Sequence, residues 1–175
     1  MMQALLKSLG LLRDLRADPG VTRTAEAIVA NLRALGLFVE AKPFGPPFVE
    51  IVASTSPKLV TTPGSPLASG VALLLAGAYD PPTLVFEEIN SLKPRLGRAM
   101  VDAALRALTG QECPFRKIRV DDASPRGSDG LSFWRRAAAA HAWLDWEITE
   151  NEGAGAPAAR KTVQAELRER RRGFK

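Results

Sequence analysis

Apolar positions recur every three or four residues in some stretches of this chain and every second residue in others. Residues 2–16 set Leu5, Leu6, Leu9, Leu12 and Leu15 at helical spacing, which predicts a first amphipathic helix. Asp18, Pro19 and Gly20 are expected to stop it. Thr22 or Thr24 then offers a cap for a second helix, with Ala25, Ile28, Val29, Leu32 and Leu35 on one face and Gly36 as terminator.

Strand character follows. Residues 37–40 and 48–54 are rich in β-branched and aromatic side chains, and the turn-forming Pro43-Phe44-Gly45-Pro46-Pro47 lies between them. Residues 54–69 carry three prolines and one glycine, so they read mostly as loop, with residues 59–61 as a candidate short strand. Residues 71–77, built of alanine and leucine, suit a buried strand or a helix equally. The turn at residues 79–82 leads into a strand over 83–89, the expected partner in a hairpin.

The second half alternates between the two periods. Residues 96–108 form the clearest helix, with Met100, Val101, Ala104, Leu105 and Leu108 on one stripe and Gly110 beyond its end. Residues 115–120 (FRKIRV) alternate apolar and basic, the mark of a half-buried strand. A polar turn over 121–130 precedes a helix over 131–142, and residues 143–148 (WLDWEI) alternate again. Strand, helix, strand, helix, strand predicts parallel neighbours joined by right-handed crossovers. The expected fold class is α/β (α+β), with a mixed central sheet of about six strands, two N-terminal helices and two crossover helices. Residues 1–150 form the domain, 151–159 a small-residue Gly/Ala linker, and 160–175 a basic tail.

Composition narrows the setting. A chain of 175 residues with 46% apolar content can bury one core without a staple. The single Cys113 excludes an internal disulfide and points to a cytoplasmic setting. No Cys/His cluster exists to hold a metal, so none is expected. The most apolar run, residues 71–79, is about half the length that spans a bilayer, and the N-terminal stretch is broken by Arg13, Asp14 and Arg16. Neither a signal peptide nor a membrane partner is expected.

Charge is unevenly spread. Residues 160–175 hold seven basic and two acidic side chains, which accounts for the whole net charge of +5; the remaining 17 basic and 17 acidic residues cancel. The tail can be a solvated end, a contact for nucleic-acid phosphates, or a dock for an acidic protein. Oligomeric state is left open by the sequence.

At residues 84–100, LVFEEINSLKPRLGRAM, a strand leads through a tight loop to a glycine and a helix. This segment resembles the cofactor segment of the GNAT superfamily of N-acyltransferases. In that family a splayed strand runs into an Arg/Gln-x-x-Gly-x-Gly/Ala loop whose backbone N–H groups hold the pyrophosphate of acetyl-CoA. Glycine lets phosphate approach the backbone, and a helix start favours anions. Gly97-Arg98-Ala99-Met100 matches the end of the motif, and Lys93, Arg95 and Arg98 add positive charge there. The strands at 115–120 and 143–148, the Phe133-Trp134 pair and the preceding helices keep the family's order over residues 20–150.

The resemblance implies an acyl-CoA site at Lys93, Arg95, Leu96, Gly97, Arg98 and Ala99, with acetyl-CoA or another acyl-CoA as donor and an unidentified amine as acceptor. Glu87 or Glu88 is the candidate base for that amine. Arg95 stands where the family usually has an earlier glycine, and Trp134 where many members carry an acidic tyrosine. The same residues also read as an ordinary strand-to-helix turn with solvated charges, in a non-catalytic scaffold or assembly component that uses its tail to bind a protein or nucleic-acid partner. His141, the only histidine, is expected at a helix end, and Cys113 as a small buried hydrophobe.

Overall fold

The computed structural model describes residues 18–43, 47–62, 64–121 and 130–149. The first helix, the 121–130 turn apart from its two ends, the 151–159 linker and the 160–175 tail lie outside these residues. The fold is α/β with a six-stranded mixed sheet.

Helix α1 spans Pro19–Ala34, and it begins where the sequence was expected to break a helix. Asp18 is its cap: the carboxylate accepts from the Gly20 N–H at 2.8 Å, and Pro19 fits the first helical position because no partner is needed there. Asp-Pro-Gly is thus the start signal of this helix. Thr24 instead donates its hydroxyl to the Gly20 carbonyl inside the helix. Gly36, at φ 79°, closes the helix end in the left-handed region, as its type suggests.

Strands β1 (Phe38–Pro43), β2 (Phe48–Ser54), β3 (Gly70–Ala76) and β4 (Thr83–Asn90) form an antiparallel meander. The ambiguous 71–77 segment is β3, buried at every position, because it lies centrally between β2 and β4. The candidate strand at 59–61 does not form: Pro57–Leu59 is a short 3-10 turn. Its Val60 packs on Val52 and Ala72.

After β4 the chain switches to crossovers. Helix α2 (Leu96–Arg106) leads to β5 (Lys117–Asp121), parallel to β4. Helix α3 (Gly130–Ala140) leads to β6 (Asp145–Thr149), parallel to β5. The sheet order is β1-β2-β3-β4-β5-β6. Trp143 lies in the turn before β6 rather than on the strand, and is 48% exposed; Trp146 takes the strand position.

The three α-helices of the described residues feed one cluster with the sheet. Ile28 and Leu32 of α1, Met100, Val101 and Leu105 of α2, and Trp134 and Ala137 of α3 meet Ile51, Leu73, Leu75, Leu84, Phe86, Ile118 and Val120. Cys113 is buried in this cluster. The other face of the sheet carries a smaller patch of Phe48, Leu74, Ala76 and Val85 beside Tyr79. No helix among the described residues is long and apolar enough to cross a membrane.

Candidate functional site

The parallel pair β4–β5 is joined only from Thr83–Lys117 to Phe86–Val120. β4 continues to Asn90 and keeps its pairing to β3, while Asp121 of β5 pairs with Thr149 of β6. The two strands therefore part beyond Phe86 and Val120. At that point β4 also bulges: Phe86 pairs with Leu73 and Glu88 with Ala72, so Glu87 is the extra residue.

The bulge separates the two candidate bases. Glu87 is half-buried at the parting of the strands. Glu88 is exposed and lies against Gly64 of the 55–69 loop, where its carboxylate occupies the space of any side chain at that position.

The loop after β4 is held by side chains. Asn90 donates to the carbonyls of Ser65 and Ala68, and Leu92 donates its N–H to Ser69 Oγ at 2.8 Å. Ser91 donates its hydroxyl to the Lys93 carbonyl at 2.7 Å and accepts from the Gly97 N–H at 3.1 Å. Ser91 thus caps α2 from six residues upstream, since Arg95 makes no side-chain cap bond. Arg95 has φ 67°, a left-handed conformation that favours glycine.

The predicted cofactor residues divide by environment. Lys93 and Arg95 are exposed on the loop, Leu96 and Ala99 are half-buried, and Gly97 is buried. A Cβ at Gly97 would come within 3.2 Å of Ser91 Cβ, so the loop and helix approach as closely as they do because this residue is glycine. Arg98 turns along the helix to Asp102, with Nε at 2.8 and 2.9 Å from the two carboxylate oxygens. The first turn of α2 holds no acidic residue, and Lys93 and Arg95 add positive charge beside its positive end.

Sequence reasoning missed Asp102 as a junction. Its Oδ1 lies 2.9 Å from His141 Nε2, and the His141 carbonyl accepts from Trp146 Nε1 at 3.1 Å. His141 is at a helix end, as expected, and ties α2 to the turn before β6. Trp134 is buried, its ring 5.1 Å from Phe86 and 5.0 Å from Phe133. Among the described residues no group of three or more metal-ligating side chains is found.

A second cluster lies at the other end of the parallel strands. Parallel pairing sets Lys117 beside Asp145 and Arg119 beside Glu147. Lys117 Nζ is 2.7 Å from Glu147 Oε2, and Arg119 Nε is 3.9 Å from Oε1. The hydrogen bond from Lys117 holds the Glu147 carboxyl below its ordinary value, against a smaller opposing effect of burial and with help from both cations' charge. With Ala78, Tyr79, Asp80, Pro81 and Thr83 these side chains line a cleft of about 340 Å³. The signal was present as basic positions in FRKIRV and acidic positions in WLDWEI, but only the register brings them together.

The chain matches no family model, no curated protein and no solved structure.

Proposed function

We propose that this chain is a GNAT-like N-acyltransferase that moves an acyl group from acyl-CoA to an amine. The observation that carries the reading is the parting of β4 and β5 beside a glycine-bearing helix start. The φ of 67° at Arg95 makes a tight turn directly before that helix start. Gly97 also lets the loop pack closely on the helix start, where a Cβ would crowd Ser91.

In this reading Lys93 and Arg95 attract the phosphates, and the N–H of Gly97 becomes available when Ser91 turns aside. Acyl-CoA would supply the thioester that the amine attacks directly. Glu87, at the bulge, takes the proton from the attacking amine; Glu88 is directed elsewhere by Gly64. A cytoplasmic setting belongs to the same proposal and rests on the lone cysteine.

Calorimetric titration of the full chain with acetyl-CoA tests it. Saturable heat is expected, with Lys93→Ala and Arg95→Ala each weakening binding by about 3- to 10-fold, as for exposed charge-assisted contacts. No heat and no thermal shift at about 1 mM acetyl-CoA, a concentration that reveals even weak binding, would remove the reading.

A second reading has its own support. The Gly97 N–H is already satisfied by Ser91, and Trp134, which stands at the family's tyrosine position, is packed in the core. A non-catalytic scaffold of the same fold would keep both features and bind a protein or nucleic acid through residues 160–175. Deleting those residues should then abolish partner capture, and nucleic-acid binding should weaken steeply with salt.

A further inference from the structure

We propose that the outer edge of β1 pairs with β1 of a second copy of this chain, antiparallel about a two-fold axis at Ala41, giving a symmetric dimer with one continuous sheet. This edge lies at the opposite end of the strand order from β5 and β6, and the pairing does not depend on acyl transfer.

Among the described residues β1 pairs with β2 alone. Val39 is half-buried and the rest of the strand is exposed. Which backbone groups face outward follows from the neighbouring strand. At the two ends of β2 the Thr55 N–H donates to the Ser69 carbonyl, and the Pro47 carbonyl accepts from Gly77. The odd-numbered groups of β2 are therefore turned to β3. Its even-numbered groups are turned to β1, where they face residues 38, 40 and 42. That leaves Val39 and Ala41 with N–H and carbonyl directed away from the sheet, and Pro43 with a carbonyl only. The Val39 carbonyl already accepts from Arg33 Nη2 at 3.4 Å.

Lys42 and Pro43 oppose an arbitrary strand at this edge, so the register must suit both. With the axis at Ala41, the two copies of Ala41 exchange both their backbone hydrogen bonds. The Val39 N–H then meets the Pro43 carbonyl of the second copy. The N–H that proline lacks is not needed there, because Arg33 already supplies the Val39 carbonyl. Side chains favour the same register. Glu40 and Lys42 share one face, with their charges 3.5 Å apart along the strand, and each Glu40 comes to lie opposite the Lys42 of the second copy. Moving the axis by one residue, to Glu40 or to Lys42, would set like charges face to face.

A two-fold pair uses up this edge in both copies, so assembly through it stops at two. Six residues a side is far fewer than the roughly 20 to 30 of a standard interface. The dimer is therefore weak and concentration-dependent, with Kd on the order of 50 µM.

Sedimentation velocity of the full chain tests the pairing, with circular dichroism to confirm that each variant folds. The mass of one chain is expected at about 1 µM and mostly that of two at about 500 µM. Ala41→Pro removes the N–H donated at the axis and leaves the bonds to β2 in place, so it should hold the chain monomeric at about 500 µM. Glu40→Lys and Lys42→Glu should each weaken dimerisation by about 10-fold, because each turns two attractive cross-strand pairs into repulsive ones. An equimolar mixture of these two variants should recover a dimer containing one chain of each, and this mixture decides the matter if Ala41→Pro fails to fold. Lys93→Ala should dimerise as the unaltered chain does. The proposal is overturned if the chain stays monomeric at about 500 µM, if the dimer survives Ala41→Pro, or if the mixture is no more dimeric than either variant alone. A monomer whose Ala41 N–H is protected from hydrogen exchange would also overturn it and assign the edge to another segment of this chain.

Discussion

From β1 to β4 the sheet is antiparallel and closed, with β3 buried at every position; from β4 to β6 it is parallel and opens at one end. The closed half owes its order to runs of β-branched and leucine side chains, whose register continues without a break until the bulge at Glu87. The open half carries its charges in pairs, Lys117 with Glu147 and Arg98 with Asp102, and its strands separate after four paired positions. One sheet thus holds a closed frame and an opening, and β4 belongs to both. The proposed acyl-CoA site lies where pairing ends, because backbone groups there are not committed to the sheet.

Substitutions can break this contrast to different degrees. The largest loss should come from Phe86, which is 2% exposed and joins β4 to Trp134 of α3. Phe86→Ala should cost about 3–5 kcal/mol in urea denaturation, at least as much as Leu73→Ala in the closed half. A much smaller cost for Phe86→Ala would mean that the open half is only loosely joined to the frame.

Asp102 comes next. Asp102→Ala leaves Arg98 and His141 without their shared carboxylate, and partial exposure limits the loss to about 1 kcal/mol. Its effect should appear as faster hydrogen exchange in α2 and the turn before β6, with β1 to β3 unchanged.

Arg95 should behave in the opposite direction. Arg95→Gly relieves a left-handed backbone and should hold or raise stability by up to about 1 kcal/mol, while acetyl-CoA binding weakens through loss of the guanidinium. A loss of stability would show that Arg95 is held by contacts rather than strained.

The smallest effect concerns Glu147. Its folded pKa lies below the unfolded value near 4.5, so the pair with Lys117 stabilises the fold above that pH. This contribution fades as pH falls through the folded value. Exposure keeps it to a few tenths of a kcal/mol, and Glu147→Gln should narrow the stability difference between neutral and acid pH by that amount.

How far the sequence could be read differs between the halves for physical reasons. α2 follows directly from side-chain period, because it buries one regular face, and β2 from its β-branched and aromatic residues. β3 was ambiguous because a strand buried on both faces has no period to see. The start of α1 was placed too late because Asp-Pro-Gly reads as a helix breaker, although Asp18 suits a cap and Pro19 a first helical position. Trp143 was assigned to β6 from alternation, yet the His141–Asp102 contact and the bond from Trp146 keep the turn open past it. At the candidate site the residue types were visible, including Gly97 and the basic loop. The Ser91 cap, the Asp102 junction and the Lys117–Glu147 pair were not, since each depends on contacts between separate elements or on register.

Amide hydrogen exchange of the full chain, with and without saturating acetyl-CoA, bears most directly on the claim that the edge beyond Phe86 and Val120 is where the donor sits. The account predicts slowed exchange over residues 87–99, centred on Gly97, with the antiparallel strands β1 and β2 unaffected. Unchanged exchange throughout that segment, or protection confined to another part of the chain, would contradict it.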